Sequence, residues 1–131
     1  MVDEADRIWN RAALFWETDD RDRLSGDLAL KALLLAHGLI MNGGVAHCHD
    51  AMSPEEVSQA VEGYRWFGLD QAAELVESTG NAVRNGSMDE QASLAADDAY
   101  NQAIPDDRVI ETVFRAKFGA ARDAFAPVSI A

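Results

Sequence analysis

DLALKALLLAHGLIMNGGVAHCHD, residues 27–50, is the stretch that decides the fold of this chain. Its first part, Leu28–Met41, is apolar nearly all round, which is typical of a helix buried among other helices. This part is also shorter than the roughly 20 apolar residues that span a bilayer. The sequence Asn42-Gly43-Gly44 then ends the helix, because glycine favours the backbone conformation found at helix C-termini. The stretch therefore predicts a buried central helix over residues 27–42, with Asp27 as its cap and Gly38 as a point of close helix approach.

Further helices are predicted on both sides of this stretch. Apolar residues at helical spacing predict a first helix that runs through Trp16 with an aromatic stripe, which is typical of a core face or a dimer seam. After residue 50, capping-box patterns that begin at Ser53 and Ser87 each predict a helix. Asp70 is predicted to cap the helix between them, and Asp106 or Asp107 to cap the last. No segment alternates at period two, as strands do.

The chain is therefore predicted to be all-α. Its 131 residues suit a single domain, spanning 1–131. We expect a bundle of about six helices around the central helix 27–42, with a frayed tail at residues 121–131.

The charge of the chain is concentrated in its middle. The protein has 23 acidic and 11 basic residues, a formal net charge of −12. Residues 50–107 hold thirteen of the acids and only two bases, Arg65 and Arg84. Such a field repels nucleic acid and membrane surfaces and attracts basic proteins. We therefore expect a basic or nucleic-acid-binding protein as partner, and no direct binding of nucleic acid or membrane.

Rows of carboxylates are predicted on the solvent faces of the helices. Helical steps of three, four and seven residues place side chains on one face, about 5–10 Å apart along the axis. This range is comparable to the spacing of phosphates along a nucleic-acid strand. Acids at helix starts are explained by the helix macrodipole, but Asp97 and Asp98 are not. The predicted partner-binding surface consists of Glu55, Glu62, Asp70, Glu74, Glu77, Asp97 and Asp98.

An alternative site is the cluster His37, His47, Cys48 and His49, whose side chains are ligand types for transition metals. The spacing argues against a shared ion, because His47 and His49 point about 200° apart in a helix. His37 lies in an apolar helix, where a hydrogen-bonded core histidine is the more ordinary interpretation. We therefore predict no metal and no cofactor, and keep a metal-binding protein or metal-dependent enzyme as the alternative.

The single cysteine excludes a disulfide within the chain, which favours a reducing compartment. The acidic, amphipathic N-terminus lacks the basic and apolar regions of a signal peptide. We therefore expect a cytoplasmic protein.

Several segments in a fixed order resemble a known family. Asn42-Gly43-Gly44 follows an apolar helix, YRWFGLDQAAELV occupies residues 64–76, DDAY occupies 97–100, and PDDRVIETVFRAKF occupies 105–118. This order resembles the small acidic all-helical bacterial family that includes the DNA-mimic proteins of Neisseria, over about residues 28–120. The resemblance implies an all-α fold, frequent homodimers and no catalytic site. In the best-understood member it implies binding to a DNA-binding transcription factor through an acidic surface.

The chain departs from this family directly after Gly44. The family usually continues with an aromatic residue, then a glutamine and further aromatics, whereas this chain has Val45, His47, Cys48 and His49 there. The resemblance assigns only a structural role to Asn42, Gly43 and Gly44.

The sequence thus predicts a non-enzymatic, acidic protein-interaction module, with a DNA mimic as its most specific form. Two alternatives stay open: the metal-binding protein described above, and a structural dimeric scaffold whose acidic residues only keep it in solution.

Overall fold

The computed structural model describes residues 3–17 and 19–128. Within these residues the chain forms seven α-helices and one 3₁₀ turn, with no strand, so the all-α prediction is confirmed there. The helix beyond the expected six is the short α3. The elements are α1 (Glu4–Ala12), α2 (Ser25–Gly43), α3 (Val45–Ala51), α4 (Pro54–Trp66), α5 (Asp70–Arg84), α6 (Glu90–Ala103), α7 (Asp107–Ala120) and the 3₁₀ turn Arg122–Ala124.

The capping signals in the sequence place some helix starts correctly and others not. Ser53 and Asp106 cap α4 and α7 as predicted. Asp89, and not Ser87, caps α6, because its carboxylate accepts a hydrogen bond from the backbone N–H of Ala92. Asp27 is not the cap of α2, which begins two residues earlier at Ser25, and Asp70 is the first residue of α5 and not its cap.

The long apolar helix α2 contacts α1, α3, α4 and the 3₁₀ turn. Leu30, Leu33 and Ala36 on this helix are completely buried. Leu28 and Met41 are nevertheless 41% and 51% exposed, although the apolar pattern predicted burial nearly all round. These two side chains lie about 140° apart around the helix axis, so α2 is exposed at two separate places near its two ends.

The closest approach between α2 and α4 occurs at Gly63 and not at Gly38. A Cβ atom on Gly63 would lie 2.5 Å from the carbonyl oxygen of Ala29, so only glycine fits there. Gly38 is exposed and has no neighbour within 4 Å of the corresponding position. The prediction of a close contact at Gly38 is therefore wrong.

The aromatic residues near the N-terminus divide between core and surface. Helix α1 ends at Ala12, before the predicted stripe is complete. The Trp9 ring lies 5.6 Å from the Phe114 ring of α7, whereas Phe15 and Trp16 follow the helix and are 38% and 77% exposed. Trp16 therefore does not belong to the core.

The C-terminal segment packs against the helices as far as it is described. The Phe125 ring lies 5.4 Å from Phe118, 5.7 Å from Phe114 and 5.8 Å from Trp66, and Ala126 is also buried. The expectation of a frayed tail therefore does not hold for these residues. Residues 129–131 of that predicted tail lie outside the described residues.

No single helix in the described ranges has both the length and the apolar composition to cross a membrane. Helices α2 and α3 meet these criteria only together, across a bend of 120°.

A buried carboxylate links α1, α2 and the C-terminal segment. Asp27 is 3% exposed and accepts hydrogen bonds from the Arg11 guanidinium (2.6 Å) and from the backbone N–H groups of Leu24 (3.1 Å) and Ala126 (2.7 Å). Arg11 also donates to the carbonyl oxygens of Ala126 (2.8 Å) and Pro127 (3.2 Å). Both charged groups are thus paired, as buried charges must be, although the buried Arg11 Nε has no hydrogen-bond partner within the described residues.

We expect Asp27→Ala to lower the free energy of unfolding by about 3 kcal/mol, because it leaves the largely buried Arg11 without its counter-charge. The measurement is urea denaturation followed by circular dichroism. The control is Asp19→Ala, which removes an exposed ion pair with Arg21 and should leave the unfolding midpoint unchanged. Equal effects of the two substitutions would contradict the structural role of Asp27.

Candidate partner-binding surfaces and the histidine cluster

The seven predicted partner-binding acids lie on three consecutive helices. Helix α4 packs against α5, and α5 packs against α6. All of the seven side chains are exposed except Asp97, which is half-buried. Their distribution is Glu55 and Glu62 on α4, Asp70, Glu74 and Glu77 on α5, and Asp97 and Asp98 on α6.

Two of these acids line a shallow polar groove between α5 and α6. Glu74 and Glu77 face Ala99, Gln102 and Ala103 of α6 across this groove. We call it the α5/α6 groove. Glu77 also forms an exposed ion pair, 3.3 Å from Arg65 of α4.

Glu62 belongs to a different groove, between α2 and α4. Its floor and walls are mainly apolar, and no residue lines both this groove and the α5/α6 groove. We call it the α2/α4 groove. The predicted acidic surface is therefore divided between at least two places on the molecule.

Asp97 has a structural partner. Its carboxylate accepts a hydrogen bond from the backbone N–H of Val45, 2.8 Å away, at the start of α3. Gly44, with φ of +93°, makes the turn between α2 and α3, and a Cβ atom on it would lie 2.9 Å from the Asp97 carboxylate. Asp97 thus caps a helix from a distant part of the chain.

The neighbours Asp97 and Asp98 provide a matched comparison. We expect Asp97→Ala to lower the free energy of unfolding by about 1 kcal/mol, since it leaves the Val45 N–H without its acceptor. Asp98→Ala should leave stability unchanged, because Asp98 is exposed and has no hydrogen-bond partner within the described part of the chain. Chemical denaturation of both variants measures the difference, and the reverse order of stability would refute the assignment.

His37 is held in a chain of hydrogen bonds that runs from an exposed carboxylate into the core. Its Nε2 lies 2.8 Å from the Asp107 carboxylate and its Nδ1 lies 2.7 Å from the Tyr100 hydroxyl. The Tyr100 hydroxyl in turn lies 2.7 Å from the Tyr64 hydroxyl. A carboxylate only accepts, so Nε2 carries a proton; with the ring neutral, Tyr100 donates to Nδ1 and accepts from Tyr64.

This network joins α2, α4, α6 and α7, but its hydroxyls are inaccessible. Both tyrosines are 0% exposed, and burial raises the pKa of each hydroxyl. A nucleophile or general base must come within hydrogen-bond distance of its substrate, and these hydroxyls cannot. The network therefore stabilises the packing of four helices.

The other members of the histidine and cysteine cluster point apart. The His49 Nε2 donates to the carbonyl oxygen of Val76 on α5, 2.8 Å away, and Gly80 leaves room for the ring. Cys48 is completely buried with its Sγ 3.3 Å from the Met52 Sδ, and burial raises the pKa of its thiol to about 11. The His47 ring lies against Gly43.

The structure does not bring His37, His47, Cys48 and His49 together. Residues 3–17 and 19–128 contain no group of three or more His, Cys, Asp or Glu side chains placed to hold a metal ion. A protonated Cys48 thiol is also a poor metal ligand and a poor nucleophile.

The environment of His49 predicts a pH dependence of stability. Burial lowers the pKa of His49 below its ordinary value of 6.5, and the hydrogen bond to Val76 opposes this shift only in part. Between the lowered folded-state pKa and 6.5, the unfolded chain binds more protons than the folded chain, so the free energy of unfolding falls as the pH falls. We expect His49→Gln to lose this pH-dependent part of the free energy of unfolding. Urea midpoints at about pH 7.5 and about pH 5.5 measure it; an unchanged difference between the two midpoints would contradict the prediction.

Two features were missed by sequence reasoning. The tyrosine partners of His37 lie far from it along the chain, and no sequence pattern joins them. Two tyrosines in otherwise apolar and alanine-rich helices could still have indicated a buried polar network. The apolar α2/α4 groove was also missed, because the apolar face of α2 was assigned entirely to the core.

The fold and these surfaces define a small, acidic, all-α protein with two separate grooves. Comparison of the chain with family models, curated proteins and solved structures finds no match. The resemblance to the family of the Neisseria DNA mimics stays a prediction.

Proposed function

We propose that this protein is a non-enzymatic, acidic protein-interaction module that binds a basic protein. The observation that carries the proposal is the set of unpaired carboxylates on α4, α5 and α6. Within the described residues, five exposed acids of the predicted surface have neither an ion pair nor a hydrogen bond: Glu55, Glu62, Asp70, Glu74 and Asp98.

Unpaired, exposed carboxylates favour a basic partner for an electrostatic reason. The only basic residues between positions 50 and 107 are Arg65, which pairs with Glu77, and Arg84, which contacts Asn81. The negative potential of these helices is therefore little reduced by internal cations. Such a surface accelerates association with positive surfaces and disfavours acidic ones.

The most specific form of the proposal is a DNA mimic. On α5, Asp70, Glu74 and Glu77 follow one another at helical steps of four and three, so their carboxylates project from one face. A protein whose groove binds the phosphates of a nucleic-acid strand could bind such a row. The motif resemblance supports this form, and a transcription regulator is the partner that it implies.

Hydrogen bonds within the protein explain the positions of His37 and His49, so neither residue needs a catalytic role to account for it. Both ring nitrogens of His37 have partners, Tyr100 and Asp107, and the Nε2 of His49 donates to the Val76 carbonyl. Because these histidines hold helices together through hydrogen bonds, the structure supports a binding protein over a metal-dependent enzyme.

Three further properties belong to the same proposal. A homodimer is implied by the resemblance and is supported by large exposed apolar side chains such as Trp16 (77%) and Leu94 (59%). A bundle with α2 as its central helix is supported by the contacts of α2 with four other elements. A cytoplasmic location is consistent with the single, reduced cysteine.

The test is capture from a lysate of the native organism on the immobilised full-length protein, with the bound proteins identified by mass spectrometry. We expect DNA-binding proteins whose retention falls as salt is raised and which duplex DNA displaces. The double variant Glu74→Lys/Glu77→Lys should lose them, because it reverses the charge of the α5 row.

The matched control is Asp22→Lys/Asp123→Lys, which changes the net charge equally at exposed positions outside the acidic region. Retention by the control and loss by the α5 variant is the expected outcome. Capture that is insensitive to salt, or capture of acidic proteins alone, would refute the proposal.

A further inference from the structure

The α2/α4 groove combines an apolar interior with an acidic border. Its α2 side spans residues 25–35 and its α4 side spans residues 56–66, each about 15 Å along its helix axis. The groove is thus long enough for roughly three turns of another helix. Its apolar lining includes Phe15, Leu28, Ala29, Ala32, Leu35 and Trp66.

The interior is accessible because small residues line it. Gly63 also lets the two helices approach closely at the floor of the groove. Ala29 and Ala32 lie on the α2 side, and Gly63 lies opposite them. Larger apolar groups stand at the walls, where Leu28 is 41% exposed and Phe15 is 38% exposed. Exposed apolar surface of this kind, bordered by polar residues, is typical of a binding site.

The charges of the border are unbalanced. Four acids line the groove, namely Glu17, Asp20, Glu56 and Glu62, against the single base Lys31. The Lys31 Nζ is already bound to the Asp20 carboxylate (3.0 Å) and to the carbonyl oxygen of Glu17 (2.5 Å). Glu62 has no ion pair or hydrogen bond in the described ranges.

We propose that the α2/α4 groove binds a basic amphipathic helix of a partner protein. The apolar face of that helix would lie on Ala29, Ala32 and Leu35, and its basic residues would face Glu56 and Glu62. This proposal shares with the proposed function the basic character of the partner and the carboxylate of Glu62, but the groove has no residue in common with the α5/α6 groove.

The form of the groove favours a helix over an extended segment. Strand addition needs unpaired backbone N–H and C=O groups, whereas the groove walls are helices whose backbone groups are bonded internally. Helices instead bind in apolar grooves through side chains at i, i+3, i+4 and i+7.

The charge argues against a second copy of this chain as the occupant. A copy would present a molecule of net charge −12 to an acidic border. Several basic groups on its own amphipathic helices are engaged internally: Arg11 with Asp27, Arg115 with Asp3 and Asp6, and Lys117 over the Trp66 ring. Arg108, at the start of α7, is an exposed exception.

The experiment uses the full-length protein and a synthetic probe peptide of about 15 residues, with leucines at helical spacing and lysines elsewhere. We expect isothermal titration calorimetry to detect binding of the peptide to the protein. In the NMR spectrum of the protein, the amide shift changes should be confined to α2, α4 and residues near Phe15. A peptide of the same composition in scrambled order should bind at least about tenfold more weakly, because its apolar face is lost. Equal binding of the two peptides would mean that charge alone acts, and would overturn the proposal.

Two charge-matched variants locate the site. Leu28→Lys places a cation in the groove and should weaken peptide binding about tenfold. Leu94→Lys makes the same change at an exposed position on α6, outside the groove, and should bind as the unmodified protein does. Because both leucines are exposed, both variants should fold, which circular dichroism verifies. Equal loss in both variants, or in neither, would overturn the proposal.

Two further measurements separate the possible failures. The variant Glu74→Lys/Glu77→Lys should keep its affinity for the peptide, so its loss of lysate proteins would test the proposed function alone. Sedimentation velocity tests self-association: a dimer that Leu28→Lys dissociates, together with no peptide binding, would assign the groove to a second copy and overturn the proposal.

Discussion

The carboxylate of Asp27 is the contact on which the arrangement of the chain ends depends. Burying a charge is costly unless a partner and hydrogen bonds compensate for it, and here Arg11 and the Ala126 N–H supply both. These bonds fix α1 and the C-terminal segment to the first turn of α2. Phe125 is thereby placed among Trp66, Phe114 and Phe118, so one buried ion pair determines where the aromatic core closes.

His37 performs the corresponding task further along α2. Its two ring nitrogens bond Tyr100 of α6 and Asp107 of α7, and Tyr100 extends the network to Tyr64 of α4. Apolar contacts alone allow helices to slide and repack, whereas a saturated polar network has one geometry, since a displaced member leaves its partners unsatisfied. The two polar residues of an otherwise apolar helix face thus fix its neighbours at both ends.

The sequence predicted the features that are local and failed on those that are not. Ser53 and Asp106 were identified as caps because the pattern that defines a cap lies within a few residues. Asp97 was assigned to the surface because its partner, the Val45 N–H, is distant in sequence. The same limit explains why the close approach was predicted at Gly38 and is found at Gly63, since close approach depends on the facing helix. Metal-ligand types gathered in sequence likewise dispersed in space, because consecutive helical residues point in different directions.

For function, the number of acidic residues in the chain differs from the number of carboxylates that are available to a partner. Some carboxylates of the middle region hold the fold: Asp97 caps α3, Asp107 orients His37, and Glu56 closes the capping box of α4. Others, such as Glu62 and Glu74, lack internal partners in the described residues and are free to bind. A DNA mimic needs a row of the second kind. The α5 row supplies two such carboxylates, Asp70 and Glu74, whereas its third member, Glu77, pairs with Arg65. In the proposed mode of binding the α2/α4 groove would add what charge alone lacks, because an apolar floor would select among basic proteins those that can offer a complementary helix.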